Sequence, residues 1–320
     1  MEAIFPSLAD RAFSNVPLYA GKGFVESYHT PGSEEPFSIH PLSDEDIQSG
    51  SVVMVSNWHT ALDNPRQYVE WLVDLKSRLP ADTVWYAPAT ATPGNVHMLL
   101  YSGFDLFDYR AVDLCTARNH FCIPEGTFSS EAMDRAGCCC PGCVEGDLWA
   151  HNRWVLRQAI ATATLFIEQG RLRELVEARC RLYPSQVAIL RHLDARGEFL
   201  GRYTPVVRAS PLLAATEDSI RRVEVQRFSE RLIHRYQKPP RYDLAVLLPC
   251  SAKKPYSLSQ SHRRFLSAMA GRGHALIVTS PLGLVPRELE GVYPAAHYDV
   301  PVTGYWDREE LAFAASTIEG

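Results

Sequence analysis

The sequence contains no uninterrupted apolar run of the about 18 residues needed for a membrane helix, so no membrane association is expected. Its start, MEAIFPSLADR, has no basic region followed by an apolar stretch, and so does not read as a secretion signal. Together these absences point to a cytoplasmic protein. Positive charge is not in excess either. The 32 Lys and Arg against 37 Asp and Glu give a formal net charge of -5. That excludes a chain that coats nucleic acid along its whole length and leaves only a local basic face. Internal repeats and low-complexity tracts are absent. The eight cysteines are not spaced as a disulfide framework. Cys138, Cys139, Cys140 and Cys143 are crowded together, which in a reducing compartment is metal-ligand clustering. The hydrophobic content of 46% over 320 residues is that of a soluble globular protein long enough for two cored domains.

The order of segments indicates an α/β fold. Residues 1–50 are rich in Pro, Gly, Ser and acidic groups, with short apolar pieces such as Gly23–Tyr28, and read as small β elements and loops. Ser51–Asn57 reads as a strand and Asn64–Leu79 as a helix with Tyr68, Leu72, Leu75 and Leu79 on one face. Strands are expected at Thr83–Pro88 and Phe104–Tyr109, with a helix at Pro93–Ser102 closed by Gly103. This βαβ rhythm implies parallel strands. A long helical region is expected from Trp149 to about Leu182, and a second helix from about Glu217 to Tyr236. Lys238-Pro239-Pro240 stops that helix and marks a domain boundary. A second α/β domain then begins, with strands at Leu244–Leu248 and Ala275–Thr279 and the start of a further helix at Trp306–Ala315. One βαβ unit is little for an independent domain, and completion by another chain or by further polypeptide is expected.

Cys138-x-Cys140-x-x-Cys143 places three thiolates on a tight knuckle, and His151 follows within reach. Thiolate and imidazole suit tetrahedral Zn²⁺, and four protein ligands leave no open position, so the expected metal is structural zinc. Cys139 points away if the knuckle is extended. The alternative is a set of buried free thiols.

The richest polar stretch is PCSAKKPYSLSQSH, Pro249 to His262, between an apolar stretch that reads as a buried strand and a helix pattern carrying Phe265, Leu266 and Met269. Polar clusters on such loops are where α/β folds place reactive groups, although a solvated connection with Ser N-caps has the same composition. Its spacing of Pro249, Cys250, Lys254, Pro255, Tyr256, Ser259 and His262 resembles the signature of the archaeosine synthase family, with every position filled.

A second resemblance lies upstream. Gly103–Arg110 (GFDLFDYR) is similar to the Gly-x-Asp-x-Phe-Asp strand of the tRNA-guanine transglycosylases. Ala89–Asn95 is similar to their Gly-Thr-Pro turn, and Thr116–Asn119 to their Pro-Thr-Arg segment. The cysteine knuckle followed by His-Asn at a helix start resembles their zinc subdomain. The first Asp of that strand is the family's nucleophile, which the resemblance carries onto Asp105. The knuckle at Cys138 leaves about half of the ~250 residues that a full (β/α)₈ barrel takes. Asp105 is therefore expected to be vestigial, with Asp105 and Asp108 satisfying backbone amides at a strand end.

The resemblances imply a partial TIM-barrel-like transglycosylase fragment (residues 1–136), a zinc-binding and helical subdomain (137–182), a helical linker (183–240) and an α/β core domain carrying the signature loop (241–320). They imply an archaeal tRNA-modifying transferase, adding an amine from lysine, or nitrogen from glutamine, to the nitrile of 7-cyano-7-deazaguanine in the tRNA D-loop. Cys250 as thiolate adds to the nitrile carbon, Lys254 or Lys253 lowers its pKa, Tyr256 donates to the nitrile nitrogen and His262 passes protons. Ser259 completes the expected catalytic set. Cys250 also suits a packing role at a strand end, and Lys254 a phosphate. The alternatives are a non-catalytic subunit of a modification complex, whose partner supplies an RNA-binding domain, and a true transglycosylase. Arg227, Arg231 and Arg235 fall on one face of the second helix and are expected to meet tRNA phosphates, unless they form a solvated face with Glu224 and Glu230.

Overall fold

The computed structural model describes residues 38–40, 47–56, 64–133, 136–302 and 304–319. The β elements expected before residue 38, including Gly23–Tyr28, lie outside the described residues. The chain divides into two compact units, Met1–Leu193 and Asp194–Gly320, each mixing helix and sheet.

In the first unit β1 (Ser38–His40) pairs antiparallel with β2 (Val52–Ser56), and β2 pairs parallel with β3 (Val84–Tyr86). The crossover between β2 and β3 is α1 (Pro65–Arg78). Asn64 caps it by accepting the Gln67 amide, and Pro65 stands at its first turn, where a missing N–H costs nothing. Tyr68, Val69, Leu72 and Leu75 recur at helical spacing and are all buried. Each such side chain contributes about 1.5–3 kcal/mol by leaving water, so the apolar face decides how the helix sits.

The strand expected at Phe104–Tyr109 shrinks to one parallel bridge, Leu106 to Tyr86. Two carboxylates compete with a longer ladder. Asp105 Oδ2 accepts the Trp85 amide at 2.8 Å, and the Asp108 carboxylate accepts the amides of Ala89 and Arg110. The chain then turns into a helix that hydrophobic periodicity missed, α3 (Arg110–Ala117); before it comes the six-residue α2 (Val96–Tyr101). A hairpin follows, β4 (His120–Ile123) with β5 (Gly126–Ser129), then the single-turn α4 (Pro141–Glu145) and the long α5 (Leu148–Glu168). α5 packs on α2, α3, α4 and β4. Gly170, with φ 67°, ends it, and the helical region expected to about Leu182 continues as α6 (Leu172–Arg179) and a 3₁₀ turn at Cys180–Leu182. α7 (Pro184–Asp194) follows. Among the described residues these strands close no barrel.

The second unit starts well before the Lys238-Pro239-Pro240 stop. It holds α8 (Gly197–Tyr203), β6 (Leu212–Leu213) and α9 (Val223–Arg235), which a backbone break at Arg222 (ψ 141°) separates from a 3₁₀ turn at Glu217–Arg221. These precede β7 (Ala245–Pro249), α10 (Gln260–Met269), β8 (His274–Thr279), β9 (Gly283–Pro286), β10 (Tyr298–Asp299) and α11 (Arg308–Glu319). β7 and β8 are parallel, β9 is antiparallel to β8, and β6 pairs parallel with β10. Leu212, Val225 and Phe228 share one core with Tyr256, Ile277, Val285 and Tyr298. The stretch 194–240 therefore packs as part of the unit that carries the signature loop. β7, read as a buried strand, is instead a sheet edge. Leu248 is buried, while Leu244 and Leu247 are 60% and 51% exposed.

Candidate functional site

The cysteine knuckle is built by short-range geometry. Cys140 is the N-cap of α4, and its Sγ accepts the Cys143 amide at 3.4 Å. Pro141 opens that turn, and Gly146 closes it in the left-handed conformation. Gly142 is required because a Cβ there would run into the backbone nitrogen of His151. Asp147 then caps α5 by accepting the Ala150 amide at 3.0 Å, which sets His151 on the first turn facing the thiols.

The sulfurs of Cys138, Cys140 and Cys143 lie 3.7, 3.3 and 3.2 Å from His151 Nδ1. All four donor atoms fall within 4.8 Å of one another. A tetrahedron with metal–sulfur bonds of about 2.3 Å and a metal–nitrogen bond of about 2.0 Å has sulfur–nitrogen edges of about 3.5 Å, so the donor set is already the size of a metal. His151 Nε2 lies 2.9 Å from the Cys122 carbonyl, which makes Nε2 the protonated nitrogen and turns the Nδ1 lone pair on the thiols. Phe121 stacks on the ring at 4.2 Å. Asn152 extends the support. It accepts the Cys122 amide and donates to the His120 carbonyl and Thr116 Oγ1, fixing the hairpin to α5. Burial, and hydrogen bonds to the neighbouring thiols, push the Cys143 thiol up to about 12. One site cannot hold three thiolates without a counter-charge, which a divalent cation bound there would supply. Cys139 is exposed and outside the set.

Asp105, on the same unit, is exposed and bonded to the Trp85 amide. Asp108 is buried and also accepts the Tyr86 hydroxyl at 2.7 Å. The sequence reading missed Lys76. Its Nζ donates to the Gly103 carbonyl at 2.8 Å and sits 3.9 Å over the Trp85 ring. Burial pulls this ammonium down to about 7, against the opposing charge of Asp105. Helical spacing is the signal that could have found it, since Lys76 is four residues beyond Leu72 and so borders the buried face of α1.

In the second unit the signature loop leaves β7 at Pro249 and enters α10 at Gln260. Ser259 is the N-cap of α10 and accepts the His262 amide at 3.2 Å. His262 is 1% exposed; its Nε2 lies 2.9 Å from the Pro249 carbonyl, and its ring stacks on Tyr256 at 5.4 Å. Burial lowers the His262 pKa, opposed by that carbonyl. Tyr256 is fully buried, and its hydroxyl lies 2.6 Å from that of Tyr298, which is 2.5 Å from Thr279 Oγ1. Burial pushes the Tyr256 phenol up to about 12.

Two named groups are left with free heads. Among the described residues Cys250 Sγ and Lys254 Nζ have no hydrogen-bond partner, and both residues are half-buried. Lys254 Nζ lies 4.0 Å over the Tyr298 ring. Burial lowers its pKa, while the charges of Asp299 and Cys250 act the other way. Lys253 is exposed. Tyr298 and Asp299 on β10 are thus the neighbours of Lys254 that the motif did not reveal, since they lie more than forty residues downstream. Of the three arginines on α9, Arg227 donates to the carbonyls of Gly201, Thr204 and Pro205, whereas Arg231 and Arg235 are exposed.

Fold and sites together define a two-unit α/β protein with a Cys₃His donor set in one unit and a strand-to-helix loop bearing a free thiol and a free amine in the other. Comparison with known proteins narrows this class. The chain is similar to archaeosine synthases over nearly its whole length. It is 37% identical over 320 aligned residues to archaeosine synthase subunit alpha of Methanosarcina acetivorans, covering 93% of this chain and 51% of that protein. It is 40% identical over 305 residues to archaeosine synthase of Haloferax volcanii, covering 89% and 52%. A tRNA-guanine(15) transglycosylase of Methanothermobacter thermautotrophicus matches at 26% identity over 299 residues, 87% of this chain and 43% of that protein. A family described as a domain of unknown function (DUF5591) matches residues 225–320. The chain spans about half the length of the curated relatives it matches. Among the described residues no helix is long and apolar enough to cross a membrane.

Proposed function

We propose that the chain is a tRNA-modifying transferase of archaeosine biosynthesis that converts the nitrile of 7-cyano-7-deazaguanine into an amidine, with lysine or glutamine-derived nitrogen as the amine. The observation that carries this reading is the pair of free reactive heads, Cys250 Sγ and Lys254 Nζ, on a loop whose other signature residues are engaged in holding it. A nitrile carbon is electrophilic once its nitrogen accepts a proton. The Cys250 thiolate forms a carbon–sulfur bond, and a π pair of the nitrile moves to nitrogen, which takes a proton, giving a thioimidate. The amine then adds to the same carbon and gives up a proton, which returns to Lys254, and the thiolate leaves with its electron pair, giving the amidine and restoring Cys250. Lys254, beside Cys250 and with its ammonium pKa lowered, stabilises the thiolate and supplies the proton. Tyr298 and Asp299 orient it.

On this reading the first unit is a partial transglycosylase-like barrel fragment that docks tRNA and leaves Asp105 as an amide acceptor. Cys138, Cys140, Cys143 and His151 hold a structural Zn²⁺, which when bound locks the knuckle to α5 and β4. The Methanosarcina relative is named a subunit alpha, which favours an assembly with a partner subunit; on this reading that partner contributes RNA binding. In the second reading the chain is that assembly's non-catalytic part. Incubating the chain, alone and with its partner subunit, with nitrile-bearing tRNA and lysine or glutamine, then weighing the nucleosides by mass spectrometry, separates these readings. Product from the chain alone supports catalysis. Product only when the partner is present, and unaffected by Cys250→Ala, supports the non-catalytic role.

A further inference from the structure

A cleft of about 340 Å³ lies within the second unit, along one face of α9. Its floor is apolar, with Phe228 and Leu232 on the helix and Val292 and Pro294 opposite. Arg227, Arg231 and Arg235, four residues apart and so on one side of the helix, all line it. Arg227 is already occupied by three carbonyls at the end of α8 and so acts as a clamp between two helices. Arg231 and Arg235 are exposed and have no hydrogen-bond or ion-pair partner among the described residues. The one carboxylate on the lining, Glu224, lies 4.0 Å from Arg208. Glu288, beside the lining, accepts the Tyr236 hydroxyl at 3.0 Å and is paired with His274, so with Arg227 taken up by carbonyls it is the two free guanidiniums that leave the cleft positive.

Two free guanidiniums beside an apolar floor with Tyr236 and Tyr293 at hand have the composition of a single-strand nucleic-acid site, where bases lie on apolar and aromatic surface and cations take the phosphates. Residues four apart on a helix are separated by about 6 Å along its axis, a reach suited to neighbouring phosphates of one strand. An acidic peptide would use the cations and leave the floor unused.

We propose that this cleft binds an unpaired stretch of RNA, with a base on the Phe228–Leu232–Val292 floor and two successive phosphates on Arg231 and Arg235. The proposal deepens, and in its biological setting rests on, the reading of the chain as a tRNA-modifying protein. It assigns Arg227 a different task from its two neighbours.

Fluorescence anisotropy with a labelled hexauridylate and a fully paired RNA hairpin, titrated with the whole chain across salt concentrations, tests it. Hexauridylate is expected to bind more tightly than the hairpin. R231Q/R235Q is expected to reduce the slope of log affinity against log salt by about 1.4, the value for two single-strand phosphates. Val292→Glu, a change at an exposed position, is expected to weaken binding by about tenfold or more by placing a carboxylate on the floor. Arg227→Gln is expected to lower the melting temperature and leave the slope unchanged. An unchanged slope in the double variant overturns the proposal, as does equal binding of the hairpin. Equal competition by hexaglutamate overturns it too and assigns the cleft to an acidic protein partner. Failure to bind hexauridylate while product still forms on tRNA removes the cleft alone. Hexauridylate binding without product leaves the cleft standing and removes the chemistry.

Discussion

The knuckle and the signature loop are both motifs of fixed spacing, yet the structure uses their residues in opposite ways. In the knuckle all four donors converge on one point, and beside the Cys140 cap and Gly142 inside the motif the support comes from outside it, from Phe121, Cys122 and Asn152. In the loop most of the motif supports itself. Ser259 caps a helix, His262 reaches back to the Pro249 carbonyl, and Tyr256 is bonded below, leaving two free heads. A metal needs every ligand at bonding distance, so its motif is all contact. A reaction needs few groups held rigidly, so much of its motif is scaffold.

The comparison predicts where substitutions do most damage. The largest effect is expected in the knuckle. Structural zinc contributes about 10–16 kcal/mol of apparent binding energy in small domains, so Cys140→Ser is expected to abolish cooperative unfolding of the first unit, followed by circular dichroism with metal content measured alongside. A chain that stays folded after complete metal removal would break the contrast at once.

Next come the loop's two free heads, Cys250 and Lys254. Cys250→Ala is expected to abolish amidine product, a loss of many powers of ten, with little change in melting temperature because the thiol is half-buried and unbonded. Lys254→Ala is expected to be strongly impaired. Product within about tenfold of wild type in Cys250→Ala would make this thiol a packing residue.

The scaffold residues should behave differently. Tyr256→Phe keeps the ring in the core but takes its hydroxyl from Tyr298, at an expected cost of about 1–3 kcal/mol in stability, with the rate falling far less than in Cys250→Ala. A large rate loss at unchanged stability would instead put the phenol in the chemistry. The smallest effect is expected at Asp105. Asn keeps an oxygen for the Trp85 amide, so Asp105→Asn should retain most product. Complete loss, with the metal retained, would return the chemistry to the barrel fragment.

Much of this was legible in local sequence, because local physics sets it. The Asn64 cap and the apolar spacing of Tyr68, Leu72 and Leu75 specify α1 to within a residue. The spacing of Cys138, Cys140 and Cys143 specifies a knuckle, since four donors so near in the chain need only one tight turn to meet. Tertiary structure alone decided the rest. It reduced the strand expected at Phe104–Tyr109 to a single bridge, although the amide-accepting roles of Asp105 and Asp108 were already expected, and it made β7 an edge. It placed Tyr298 and Asp299 beside Lys254 through a β6–β10 pairing that joins segments more than eighty residues apart. It also divided three evenly spaced arginines into one clamp and two free cations. Periodicity puts all three on one face, but only the carbonyls at the end of α8 determine which of them is already satisfied.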